Sequence, residues 1–134
     1  LCADPAGVLP ADSLRGLGWG GVLEAPSPER GQRVWRLAAP PADTLVCAGH
    51  EYAAANARCA LTIEPGNAAL VSRAEAIAAA RTAGRPTVPS RLSEELATNP
   101  FLRAGSAAVK AAVGMAGASD AAVFGEIRSR KDRF

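Results

Sequence analysis

Thr44-Leu45-Val46-Cys47-Ala48-Gly49-His50-Glu51-Tyr52 is the stretch that decides how this chain is read. Its first five residues are short, apolar and partly β-branched, and Gly49 stops them. They predict a buried strand of an α/β layer that opens into a loop at Gly49-His50-Glu51. The chain differs on the two sides of this stretch. Residues 1 to about 43 are rich in Gly and Pro and hold no helical period. Pro5, Pro10, Pro26, Pro28, Pro40 and Pro41 would break regular structure repeatedly there. From Tyr52 onward the pattern is helical.

Ala53 to about Ile63 is Ala-rich and closes at Glu64-Pro65-Gly66. Asn67 stands where an N-cap belongs, ahead of Ala68-Ala69-Leu70. Leu70, Ala74 and Ile77 then recur at helical spacing. Gly84 falls just past the end of that helix, with Pro86 behind it as a stop signal. Residues 85–90 read as a proline-bounded loop. Ser93 to Ala97 reads as a single helical turn, ended by Asn99-Pro100. Ser106 is placed to cap a helix from Ala107 to about Met115. Asp120 is placed to cap the last helix, whose apolar face is Val123, Phe124 and Ile127.

A chain of 134 residues has room for one small domain or for a piece of a larger one. Its start at Leu1 rather than Met favours the second. Aromatic residues make up 4% of the chain, so the core is expected to be built from small residues. A net charge of +2, with no long basic run, does not call for nucleic acid. Cys2, Cys47 and Cys59 form no CxxC pair and are odd in number, which speaks against a disulfide framework and a zinc finger. A reduced, cytoplasmic setting follows most simply. No apolar run is long enough for a membrane span, and the first residues lack the pattern of a signal peptide.

The run from Thr44 to Tyr52 resembles the strand and loop of hydroxyacylglutathione hydrolase (glyoxalase II). The resemblance continues through Asn56-Ala57-Arg58 and Glu64-Pro65. It resumes in residues 84–90, in Glu94-Glu95 and in residues 97–103, and it ends with Ile127-Arg128, Arg130-Lys131-Asp132 and Phe134. Upstream it is degraded. Ala11-Asp12-Ser13-Leu14 and Gly18-Trp19-Gly20 are similar to two further family motifs. The resemblance implies an α/β remnant plus an all-α part. Residues 1–52 would be the C-terminal end of a metallo-β-lactamase-type αββα sandwich, and residues 53–134 a helical glutathione-binding domain.

The reaction it implies is hydrolysis of the thioester S-lactoylglutathione to lactate and glutathione, which detoxifies methylglyoxal. In the family, two divalent metals (zinc, with iron or manganese as alternatives) clamp a hydroxide and polarise the carbonyl. By resemblance His50 is a metal ligand and Asp12 the bridging carboxylate. Tyr52, Arg128 and Lys131 would hold glutathione, the last two sharing a helix face three residues apart. Plainer readings stand beside each. A loop histidine is ordinarily not a ligand. Asp12 suits a turn, and Tyr52 suits a packed helix start. Arg128 and Lys131 suit a solvated basic helix end.

The departures weigh as much as the matches. Gly21 and Leu23 stand where the family offers glutathione a basic and an aromatic side chain. The family's H-x-H-x-D-H motif lies upstream of Asp12, whereas this chain has one histidine in all. The leading expectation is therefore a truncated, monomeric member that hydrolyses nothing alone, with no nucleic-acid or membrane partner. The alternative is a non-catalytic helical module that binds glutathione or a protein. A different metallo-β-lactamase-fold hydrolase is disfavoured by residues 86–103 and by the Arg128/Lys131 tail.

Overall fold

The computed structural model describes residues 38–48 and 50–134. Asp12, Gly21, Leu23 and the two upstream motifs lie outside the described residues. Two short strands and five helices follow one another within them: β1 (Leu45–Val46), α1 (Ala53–Ile63), α2 (Ala68–Thr82), β2 (Ser90–Arg91), α3 (Leu92–Thr98), α4 (Ala107–Ala112) and α5 (Asp120–Asp132). None of these helices is long and apolar enough to cross a membrane.

The expected buried strand is shorter and less covered than its sequence suggested. β1 pairs antiparallel with β2, Leu45 opposite Arg91 and Val46 opposite Ser90, and both of its residues are half-buried. The β2 partner was not anticipated. Two further backbone bonds, from Leu92 N–H to the Thr44 carbonyl and from Ser93 N–H to Ala42, tie this segment to the start of α3. The α/β layer that β1 was expected to join is not seen among the described residues.

The helices form where capping and apolar spacing place them. In α1 the buried residues are Ala53, Ala57, Cys59, Ala60 and Ile63, a single stripe of mostly small side chains. Asn67 caps α2 with Oδ1, which accepts from Leu70 N–H at 3.2 Å. Its Nδ2 donates to the Ala97 carbonyl at 3.0 Å and so binds α2 to α3. Gly84 adopts φ +67°, as the end of α2 requires. Arg85 N–H then reaches back to Ala80 and Gly84 N–H to Arg81, closing a Schellman motif.

Three boundaries differ from expectation, each for a local reason. α4 stops at Ala112 rather than Met115, because Gly114 turns to φ +77° and closes a second Schellman motif through Met115 N–H to Lys110. The last helix is capped by Ser119, whose Oγ accepts from Ala122 N–H. Asp120 is already helical and pairs with Lys110 Nζ at 2.7 Å instead. α3 runs for seven residues rather than one turn, helped by Glu94 Oε2, which accepts from Arg91 N–H at its start.

The larger core cluster joins Ile63 of α1, Ala104, Val109 of α4, Val113, and Val123, Phe124 and Ile127 of α5. The expected apolar face of the last helix is the one that is buried. A second, smaller cluster of Ala53, Ala57 and Ile77 seals α1 onto α2, where alanines allow close approach.

Candidate functional site

The residues after β1 carry two of the candidate side chains. His50 is exposed, and its ring lies parallel to that of Tyr52, centroids 5.1 Å apart and planes 7° from coplanar. Tyr52 is 53% exposed although it stands at the mouth of α1. That does not suit the plain reading of a packed helix-start aromatic. Glu51, between them, turns to the residues 85–90 loop. Its carboxylate accepts from Thr87 N–H and the Thr87 hydroxyl, and Arg81 Nη1 lies 3.5 Å from its Oε2. The Thr87 hydroxyl, ahead of Arg81, holds the Glu51 carboxyl below its ordinary pKa.

One turn further along α1 stands Asn56, whose N–H donates to the Tyr52 carbonyl at 2.9 Å. Lys131 of α5 donates from Nζ to Asn56 Oδ1. The C-terminal helix thus folds back onto the first turn of α1, across 75 positions of sequence. Lys131 Nζ also lies 5.8 Å from the centre of the Phe101 ring, and Phe101 meets Phe124 edge-on at 5.2 Å. Burial pulls the Lys131 ammonium below the usual lysine range, and Arg128 adds to that, while Cys59 and Asp132 oppose it. Burial likewise pushes the Cys59 thiol up.

Arg128 is engaged along its own helix, with Nη2 2.9 Å from Asp132 Oδ1. Its side chain is nevertheless mostly covered, 20% exposed. A cleft of about 70 Å³ opens among Asn56, Cys59, Phe101, Phe124, Ile127 and Lys131. Pockets that enclose a whole small molecule run to roughly 300 Å³ and more. A ligand larger than this would therefore lie across the mouth of the cleft, with at most one group inside.

Sequence reasoning missed Asn56, Phe101 and Cys59 as neighbours of Lys131. The spacing of four from Tyr52 to Asn56 was a usable signal, since it puts both on one helical face. The approach of Lys131 had no local signal. Among the described residues, no three His, Cys, Asp or Glu side chains gather as a metal site would need. With one histidine in the whole sequence, the donors of this chain do not fit a two-metal centre by themselves.

Comparison with known proteins shows the family. Residues 51–134 match the family model described as hydroxyacylglutathione hydrolase C-terminus. A hydroxyacylglutathione hydrolase of Cereibacter sphaeroides is 58% identical over 132 residues, 98% of this chain and 52% of the relative. One from Roseobacter denitrificans is 54% identical over 99% of this chain and 52% of its own length. One from Methylococcus capsulatus is 50% identical over 98% and 51%. The chain spans about half the length of the curated relatives it matches. On the match of residues 51–134 and these identities, the chain belongs to the hydroxyacylglutathione hydrolase family, in its C-terminal part.

Proposed function

We propose that this chain is the glutathione-holding part of a hydroxyacylglutathione hydrolase, a thioester hydrolase that releases lactate and glutathione from S-lactoylglutathione. Residues 1–52 are read as the end of the metal-bearing layer and residues 53–134 as the helical domain. His50 and Asp12 are read as two of the ligands that zinc, or iron or manganese, would need. The remaining ligands are not in this chain, and no chemical step is assigned to it. The protein is read as cytoplasmic and monomeric, with a small-molecule partner only.

The observation that carries the reading is the return of α5 to the mouth of α1. Lys131 arrives one turn beyond Tyr52, with its ammonium partly stripped of water. A carboxylate of glutathione at the cleft mouth would supply the counter-charge that the neutral Asn56 amide cannot. Arg128 would bind a second anionic group by exchanging it for Asp132. Tyr52 offers its exposed ring and hydroxyl to the body of the ligand. Held at these points, the glutathione end fixes where the thioester lies, and orientation of this kind supplies much of a catalyst's advantage.

Titration of the chain with glutathione, followed by NMR, tests this. Binding of roughly millimolar strength, about 4 kcal/mol, is expected. The shifts should centre on Tyr52, Asn56 and α5. The Arg128→Ala/Lys131→Ala double variant should lose the binding while its helical circular dichroism is kept. Shifts that map elsewhere, or equal binding by the double variant, would overturn the reading.

A further inference from the structure

Two motifs of this chain remain outside the proposed substrate site: Glu51, inside Gly-His-Glu-Tyr, and Thr87, inside Gly-Arg-Pro-Thr. The structure joins them across 36 positions. Both Glu51 oxygens lie 3.2 Å from Thr87 N, the Thr87 hydroxyl donates to Oε1, and Arg81 stands behind Oε2. Thr87 thus presents two donors to one carboxylate, and the end of α2 adds a cation. On either side of Glu51 in sequence are His50 and Tyr52, whose exposed rings lie stacked. Tyr52 already has φ −98° and ψ 6° at the mouth of α1, so the three residues turn rather than run as a strand. Glu51, held against Thr87, thus lies between two residues whose rings emerge together.

We propose that Glu51, clamped by Thr87, is a positioning residue that sets His50 and Tyr52 side by side, and so fixes the metal-side and glutathione-side groups of the site relative to one another. That these two residues serve metal and substrate rests on the function proposed above. That Glu51 places them does not. The clamp needs a hydrogen-bond acceptor at residue 51, and Arg81 favours a charged one. Alanine offers Thr87 no acceptor, whereas glutamine could still accept from Thr87 N–H and donate to the Thr87 hydroxyl oxygen. The clamp also ties the residue 50–52 segment to the 85–90 loop, which runs into β2. Motion of the 85–90 loop is then passed to the two rings.

The chain contains one histidine and one tyrosine, so their ring signals are unique in an NMR spectrum. In the wild-type chain, cross-relaxation between the His50 and Tyr52 rings is expected. Glu51→Ala and Thr87→Val should abolish it, whereas Thr87→Ser, which keeps the hydroxyl, should retain it. A Glu51 that merely braced the fold would change the melting temperature and leave the ring contact alone. Survival of the contact in Glu51→Ala and Thr87→Val overturns the proposal. So does loss of helical circular dichroism in both, since the carboxylate would then be holding the fold and not the loop. Glutathione titration of the same samples reads the other question separately. A wild-type chain that binds no glutathione, but whose ring contact depends on Glu51, refutes the substrate reading and upholds the positioning one.

Discussion

Replacing Glu95 tests whether the polar floor between α2 and α3 is a buried network or a surface decoration. The Glu95 side chain is 3% exposed and that of Arg73 is 17% exposed. Glu95 accepts from Arg73, from Ser90 Oγ at 2.7 Å and from Asn99 Nδ2 at 3.0 Å. Arg73 also donates to Thr98 Oγ1 at 2.6 Å. Removing one partner of a buried ion pair costs about 3–5 kcal/mol. Here Arg73 keeps Thr98 and some water, so Glu95→Leu is expected at the low end, about 3 kcal/mol. With a urea slope of roughly 2 kcal/mol per molar, the unfolding midpoint should fall by about 1.5 M. Arg73→Met should cost less, because Ser90 and Asn99 still donate to Glu95. The double replacement Arg73→Met/Glu95→Leu leaves no unpaired buried charge, and its cost should be well below the sum of the two single costs. Urea unfolding followed by circular dichroism, read as a double-mutant cycle, measures all four forms. A Glu95→Leu cost under about 1 kcal/mol, typical of exposed pairs, or strictly additive costs, would refute the reasoning.

Three further outcomes follow from the structure. Lys131 has a folded pKa below 10.5, so the unfolded chain binds more protons between the folded value and 10.5. Stability relative to Lys131→Met should therefore rise as pH climbs through that window, and a flat difference in paired urea titrations would contradict it. Gly84→Ala should cost about 1–2 kcal/mol by thermal unfolding, from its φ of +67° alone, since nothing lies within 4 Å of the added carbon. Cys59 is 5% exposed with its thiol pKa raised, so iodoacetamide should label it far more slowly in the folded chain than in urea, as peptide mass spectrometry would show. Equal rates would place it at the surface.

What the sequence displayed of the fold was whatever is written locally. The Asn67 cap, the Gly84-Arg85-Pro86 stop, the Ser106 cap and the Val123/Phe124/Ile127 stripe each depend on residues within one or two turns, and each was legible. The Gly114 stop was equally local and was overlooked. Ser119 and Asp120 are both good capping residues, and only the backbone angles decide between them. β2 could not be seen, because a two-residue ladder has no period and Ser90-Arg91 has no strand propensity to speak of. For the site, the loop motif flagged His50 and Tyr52, and the tail flagged Arg128 and Lys131. The pairing of Lys131 with Asn56 depends on a chain reversal through α2, α3 and α4, which no short pattern encodes.

The way this chain uses its carboxylates bears on what α5 can bind. Glu64 is buried and holds Arg103 through two bonds of 2.9 and 3.0 Å. Glu95 is surrounded by Arg73, Ser90 and Asn99, and Glu51 by Thr87 and Arg81. These three acids satisfy internal donors that connect α1, α2, α3 and the loops between them. Lys131 is treated otherwise. Its near partners are an uncharged amide and an aromatic face, and burial has lowered its pKa. A cation in that condition gains more from an arriving anion than a fully hydrated surface lysine does, because part of its desolvation has already been incurred in folding. Arg128, one turn earlier, pairs with Asp132 near the end of its own helix, a partner that is 44% exposed. The same two residues on an isolated helix would be an ordinary basic tail. With Lys131 packed against Asn56 and Phe101 and Arg128 paired along its own helix, the two become unequal, one partly desolvated and one held by an exchangeable partner. If these two residues hold the substrate as proposed, that asymmetry would favour a ligand with two separated anionic groups over inorganic anions of equal charge.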